Sequence, residues 1–472
     1  MEIVPRRRRR WPRALLAPAV VAATLVVGAP AGAQSLEARP IVFVHGGAGS
    51  GAQYETQSRR FESNGYPERY VRAFEYDSSF VTNTFAQVVE RLDAFVDDIR
   101  EELGVDQVNL VGHSLGTFVS NSYLSSPVRT AKIARYIGVD GASNASCGVA
   151  SEQLDCMGIW QGTNTVGNVG GNNVRLSPQT HVQVATSAES FAAQYEFFTG
   201  GPPRTTLVLP EPPGRVEISG RAVEFPQNVG AAGASVAVWE IDARTGARKE
   251  SEPLATLTLG ADGTWGPVAI NGQQAYELVV ERDGFPDHHF YFQPWLRSSS
   301  LVRMNVAPPN SQIVANTNVG DHHMAAVIVR QKEWWTTHPT GQNDVLEIGT
   351  TGATVEDQPA VDVLTNVTSN GIIGIHVHDA AASPGDSTLD LLPFFPTQPF
   401  QTGVDVFMPA DEPPTGTVSF VNAPRGDFSR RQSINVPNWR SSTDRVTVTF
   451  NDFVQDINSW GECKRAKPSP CS

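Results

Sequence analysis

The segment Gln107-Val-Asn-Leu-Val-Gly-His-Ser-Leu-Gly116 constrains the fold more than any other part of the chain. A short run of strand character, Gln107–Val111, passes directly into Gly112-His113-Ser114-Leu115-Gly116, and a helical run follows from about Leu115 to Leu124. A strand that turns at once into a helix brings the two backbones close together, so small residues are needed on both sides of the turn. Gly112 and Gly116 supply them, two positions either side of Ser114. Such a turn lifts the serine hydroxyl off the backbone at a sheet edge, where it can act as a nucleophile.

The surroundings alternate between strand and helix. Pro40-Ile-Val-Phe-Val44 reads as a buried strand entering the glycine-rich turn His45-Gly46-Gly47-Ala48-Gly49. Phe85, Val88, Val89, Leu92, Phe95, Val96, Ile99 and Leu103 recur at helical spacing, with Gly104 as the stop. Ile133–Val139, Met157–Gln161 and Val174–Leu176 read as further strands, and Ser190–Phe198 as a closing helix. This alternation predicts an α/β domain over residues 34–209, a mostly parallel sheet wrapped by helices. Residues 210–214, Pro-Glu-Pro-Pro-Gly, form a linker by composition. Period-two runs broken by Asp262-Gly263 and Asn271-Gly272 then predict C-terminal all-β domains. The first, residues 215–300, resembles in pattern the transthyretin-like sandwich of carboxypeptidase regulatory modules. A second β-rich region covers 301–456, and a tail with a cysteine pair covers 457–472.

Residues 1–33 have the form of a cleaved signal peptide. Arg6 to Arg10 and Arg13 precede the apolar stretch Ala14–Val27, and Ala31-Gly32-Ala33 fits a cleavage site after Ala33. The expected mature protein is secreted and soluble. Export agrees with four cysteines in two close pairs, Cys147/Cys156 and Cys463/Cys471, for which local disulfides are the simplest pairing. The net charge is −13, and removing the arginine-rich leader makes it more negative. A surface that acidic repels phosphate backbones, which argues against nucleic acid as a partner.

An acyl-transfer site needs an oxyanion hole, a base and an acid around the serine. The backbone N–H groups of Gly47 and Leu115 are the candidates for the hole. His181 is the only histidine between Ser114 and the linker, and it falls after the last strand, where the base loop belongs. His45 and His113 read as structural parts of their own motifs. Asp140 ends the strand that follows the serine helix and is the favoured acid. Its rival is Asp155, beside Cys156. The loop after Met157–Gln161 offers only the neutral Asn164 and Asn168.

These residues resemble the α/β-hydrolase superfamily and, more closely, archaeal-type secreted lipases and esterases with a C-terminal β domain. The similar stretches are Val42–Tyr54, Phe61–Pro67, Phe74–Asp77, the turn at Ser114, Val139–Gly141 and Thr180–Gln183 with Phe191–Gly200 behind it. The resemblance places the acid after the strand following the serine helix, in agreement with Asp140. It implies a Ser114-Asp140-His181 triad cleaving acyl esters or lipids through an acyl-enzyme, with no cofactor and no metal. Relatives carry a long lid after the strand matching Phe74–Asp77, whereas only Ser78–Thr84 stands there in this chain. The β regions are candidates for contact with a lipid interface or a polymer. The alternatives are a surface-binding or adhesion protein with a vestigial hydrolase domain, and an acyltransferase on the same fold. His376, His378 and Asp379 could ligate a metal, but a solvated strand face is the preferred reading, and His322-His323 reads the same way. Trp334-Trp335 and Tyr291-Phe292 with Trp295 read as core rather than as an aromatic platform.

Overall fold

In the computed structural model, which describes residues 38–144, 147, 154–368, 370–382, 384–426, 429–454, 459–466 and 471, every residue of the first strand, β1 (Ile41–Val44), is buried. Ile41 and Phe43 pack into one core, Val42 and Val44 into another. A strand buried on both faces belongs in the middle of a helix-covered parallel sheet. Around it lie β2 (Val71–Phe74), β3 (Val108–His113), β4 (Ile133–Val139), β5 (Asp155–Gln161) and β6 (Asn172–Leu176), in the order β2-β1-β3-β4-β5-β6, all pairs parallel. The helices are α1 (Glu55–Ser63), α2 (Phe85–Leu103), α3 (Leu115–Tyr123), α4 (Pro127–Thr130), α5 (Gln183–Thr186) and α6 (Ala188–Thr199). Helix α2 shows how sequence sets these bounds. Thr84 and Gln87 form a reciprocal capping box, Val88, Val89, Leu92, Val96 and Ile99 bury the apolar stripe, and Gly104 ends the helix at φ 63°. The expected leader at residues 1–33 lies outside the described residues.

The β-rich half is more interlocked than its sequence suggests. Strands Val216–Glu224, Thr264–Ile270 and Ser299–Val306 share one sheet, so the expected boundary at residue 300 falls inside a strand of the first sandwich. An eight-stranded sheet then spans both β regions. Its seam is the late strand Asp444–Thr449, which lies parallel between Asp287–Phe292 and Ala326–Trp334. Strands Gln358–Asp362, Val345–Gly352, Gly416–Ala423 and Gln432–Pro437 form a further sheet over the second core. Both expected disulfides are present, Cys147–Cys156 and Cys463–Cys471, and the latter packs on Leu209. Trp334, Trp335, Tyr291 and Trp295 are buried as core residues.

The histidines of the β half require a correction. His376 and His378 do not lie on a solvated strand face: they are 7% and 3% exposed and pack against the Phe395 ring. The His376 ring nitrogen Nε2 also bonds the Gln401 side chain at 2.7 Å. Their alternation along the strand is real, but the face they share is covered by the segment around Phe395. His323 is likewise buried, while His322 is exposed. Among the described residues no group of three or more His, Cys, Asp or Glu could hold a metal ion, and no helix is long and apolar enough to cross a membrane.

The β3–α3 junction is packed without room for a side chain at its two glycines. A Cβ at Gly116 would land on the Val44 carbonyl oxygen, and one at Gly112 would come within 2.7 Å of the Gly116 carbonyl oxygen. Gly116→Ala must therefore push α3 away from β1, at a cost of about 1–3 kcal/mol typical of overpacking. Thermal denaturation of the variant should show a clear fall in Tm; an unchanged Tm would refute the contact.

Candidate active site

The strand-to-helix turn holds Ser114 at φ 51° and ψ −120°, a conformation that L-residues rarely adopt. Three contacts fix it. The Ser114 N–H donates to the Val139 carbonyl at 2.9 Å, the Thr117 N–H to the Ser114 carbonyl at 3.0 Å, and the Thr117 hydroxyl to the same carbonyl at 2.6 Å. The Val139 contact ties the turn to the end of β4. Asp140 stands one residue later, itself at φ 40°, with its N–H bonded to the Ile159 carbonyl at 2.8 Å. Parallel pairing of β3, β4 and β5 thus brings Ser114 and Asp140 to one edge of the sheet.

His181 lies between them. Its Nδ1–H donates to Asp140 Oδ2 at 2.6 Å, and its Nε2 accepts from the Ser114 hydroxyl at 2.9 Å. Asp140 is 4% exposed. Burial pushes its carboxyl pKa up, but hydrogen bonds from His181, from the Asn164 amide at 3.1 Å and from the Gln161 N–H outweigh that and hold it below the ordinary range. The rival Asp155 begins β5, is exposed, and faces Arg135 at 3.8 Å. The structure therefore brings Ser114, His181 and Asp140 together and leaves Asp155 out.

The two motif histidines are buried supports. His113 Nε2–H donates to the His181 carbonyl at 2.9 Å, and its Nδ1 accepts from the Gln53 amide at 2.6 Å. Burial, with the nearby His181, pushes its pKa down to about 3, so the ring stays neutral and both bonds keep their direction. His45 is pushed down to about 4 by burial; its Nδ1–H donates to the Gly46 carbonyl at 2.8 Å and its ring stacks on Tyr76. The turn it shapes runs directly past the serine, since a Cβ on Gly46 would sit 3.0 Å from the Ser114 Cβ. Gly47 follows in that turn, and Leu115 opens α3, where the first N–H groups have no acceptor within the helix.

Several partners of the site come from outside the motifs that the sequence offers. Asn164, a neutral side chain and so no candidate for the acid, donates to Asp140 instead. Asn228, beyond the linker, donates to the carbonyls of Gly49 at 2.9 Å and Tyr76 at 3.1 Å, bracing the turn at Gly47. Phe400 lies nearly parallel to the His181 ring, with 6.3 Å between centroids. Glu333 bonds the loop that carries His181. Only Asn164 had a local signal, its place in the loop after β5; the others lie far along the chain.

Matches to family models agree with this architecture. Residues 39–161 match the family model of the alpha/beta hydrolase fold, residues 214–309 that of the lipase C-terminal domain, and residues 312–454 that of a further C-terminal domain. No curated protein matches the chain. Among solved structures, a Bacillus licheniformis lipase in propeptide form is 12% identical, over 84% of this chain and 92% of that one, at a TM-score of 0.26. Tomato methylketone synthase I, complexed with 2-tridecanone, is 11% identical, over 34% and 96%, at 0.26. A Legionella pneumophila phospholipase is 7% identical, over 87% and 93%, at 0.21. With a family model spanning β1 to β5 and an all-parallel sheet in the order described, this chain is built from an α/β-hydrolase domain followed by a lipase-type C-terminal domain and further β structure.

Proposed function

We propose that the protein is a secreted serine carboxylester hydrolase, a lipase or esterase. The observation that carries this reading is the unbroken chain Ser114–His181–Asp140, with bonds of 2.9 and 2.6 Å. Ser114 Oγ attacks the acyl carbonyl while His181 Nε2 takes its proton. The buried Asp140 carboxylate keeps the imidazole in the correct tautomer and stabilises the imidazolium. The N–H groups of Gly47 and Leu115 receive the oxyanion. His181 returns the proton to the departing alcohol, and water then cleaves the acyl-enzyme by the same steps. An intact nucleophile, base and acid argue against a vestigial domain kept only for adhesion. The two disulfides and the arginine-rich leader support export.

The short connection after β2 bears on the substrate. Asp77 accepts from the N–H groups of Ser79 and Val81, each at 2.9 Å, and of Thr82 at 2.7 Å, so the segment is folded on itself rather than free to swing as a lid. Phe118, on α3 beyond the serine, and Val166, two residues past Asn164, are exposed apolar side chains suited to an acyl substrate or a lipid surface. Soluble short and medium esters should be hydrolysed with no jump in rate at the solubility limit, because the segment after β2 is tied down on Asp77 rather than poised to open at an interface. A sharp jump with p-nitrophenyl esters would contradict this.

Ser114→Ala should lose esterase activity and fluorophosphonate labelling by about 10⁴-fold or more while remaining folded. Turnover of p-nitrophenyl butyrate near the wild-type rate would overturn the assignment. Asp140→Asn should lower kcat by about 10³–10⁴-fold, and Asp155→Asn should stay within about threefold of wild type. The reverse ranking would move the acid to Asp155. Because the folded-state pKa of Asp140 is depressed, its ionised form stabilises the fold above the unfolded value of about 3.9, and that contribution is lost as pH falls through the folded value. The stability advantage of wild type over Asp140→Asn should therefore shrink on acidification, as read from denaturant titrations at pH values from neutral down to about 3.

A further inference from the structure

We propose that Glu333 is a positioning residue for the base, gripping the loop that carries His181 from the far side of a domain interface. The role rests on the esterase reading above. Glu333 is the penultimate residue of strand Ala326–Trp334 in the β half and is 1% exposed. Its Oε1 accepts from the Val182 N–H at 2.5 Å, and its Oε2 accepts from the Gln183 N–H at 3.0 Å and from the Thr180 hydroxyl. These three donors flank His181 on both sides. The His181 carbonyl between them is held by His113 at 2.9 Å. The base loop is thus fastened on one side by the hydrolase domain and on the other by the β half.

The grip has a rigid backing. Arg330 and Arg425 both donate to the Glu333 carbonyl, at 2.8 and 2.6 Å, and both pair with the buried Asp344. Arg425 also donates to the Gln183 side chain at 2.6 Å. A buried carboxylate without donors would be costly, so the partners and the loop position are specified together. A glutamine at 333 keeps the shape but turns an NH₂ group toward at least one backbone N–H. The loop must then shift, and the Ser114–His181 contact shifts with it. Displacing a catalytic group by about 1 Å costs up to about 10²-fold in rate.

The test uses the full-length protein, wild type, Glu333→Gln and Thr180→Val. Sites are counted by stoichiometric fluorophosphonate labelling, and p-nitrophenyl butyrate kinetics are expressed per labelled site. Glu333→Gln should lower kcat per site by about 10- to 100-fold with KM within about threefold, and Thr180→Val, which removes one donor, by about 2- to 10-fold. Counting sites matters because a general loss of folded protein lowers the number of sites and leaves kcat per site unchanged. A per-site kcat equal to wild type in Glu333→Gln overturns the role; if that variant does not fold, an unchanged per-site kcat in Thr180→Val overturns it. Wild type that fails to react with the fluorophosphonate overturns the esterase reading itself, and the role of Glu333 with it.

Discussion

The backbone at Ser114, held at φ 51°, is the constraint on which the rest of the site depends. Left-handed geometry is unfavourable for a serine, so the surrounding structure must over-determine it. It does so through the parallel sheet: the N–H of Ser114 bonds the last residue of β4, Val139. The residue after Val139 is Asp140, also at positive φ, whose N–H bonds the Ile159 carbonyl on β5. Two strained turns at the ends of adjacent strands are thus each held by a ladder-like bond to the next strand. Their side chains emerge on the same edge at a separation that one imidazole spans.

Much of this was legible because it is local or follows from order along the chain. The glycines flanking Ser114 and the alternation of strand and helix announce the turn. The stripe and stop of α2 are read from Val88, Leu92, Val96 and Gly104, with each signal acting within a few residues. Asp140 was singled out because it follows the strand next to the serine helix, and it is the residue that bonds His181. What was illegible depends on distant partners. His376 and His378 alternate like residues of a half-solvated strand, yet Phe395 covers them. Periodicity reports that a face is shared, not what lies on it. Glu333 gives no signal at all, because its partners lie about 150 residues earlier in the chain.

The same limit explains the β half. Period-two runs and turn dipeptides locate its strands, but not the return of Asp444–Thr449 to pair with Asp287–Phe292 across more than 150 intervening residues. That return fuses two expected modules into one sheet. The β half is also joined to the hydrolase domain by its side chains. Leu301 contributes to a hydrolase-domain core, the Ser299 hydroxyl donates to Glu55 at 3.0 Å, and the Thr56 hydroxyl donates to Asp452 at 2.6 Å. The sequence makes these regions candidates for contact with a lipid interface or a polymer. Their contacts also reach the turn at Gly47, through Asn228, and the loop of His181, through Glu333.

One ion pair crosses that interface and another set backs it from within the β half. Arg303 of the β half pairs with the part-buried Glu75, whose Oε1 also accepts the Gly51 N–H at 2.6 Å, just behind the glycine-rich turn. Arg330 and Arg425 pair with Asp344 just behind the strand end that bears Glu333. Buried ion pairs are poor sources of net stability, because desolvation cancels much of the attraction. Their penalty for separation is nevertheless steep, since each leaves an uncompensated charge in a dry interior. The Arg303–Glu75 pair spans the interface, so it resists sliding and rotation of one domain on the other more than it favours association. Asp344 and its two arginines all belong to the β half and are not parted by such a movement; they hold firm the strand end from which Glu333 reaches the loop of His181. The bonds that a shift would break there are those of Glu333 to Thr180, Val182 and Gln183 and of Arg425 to Gln183. One crossing contact thus lies behind the proposed oxyanion turn and the other at the proposed base loop, where a shift of the interface would move a reacting group.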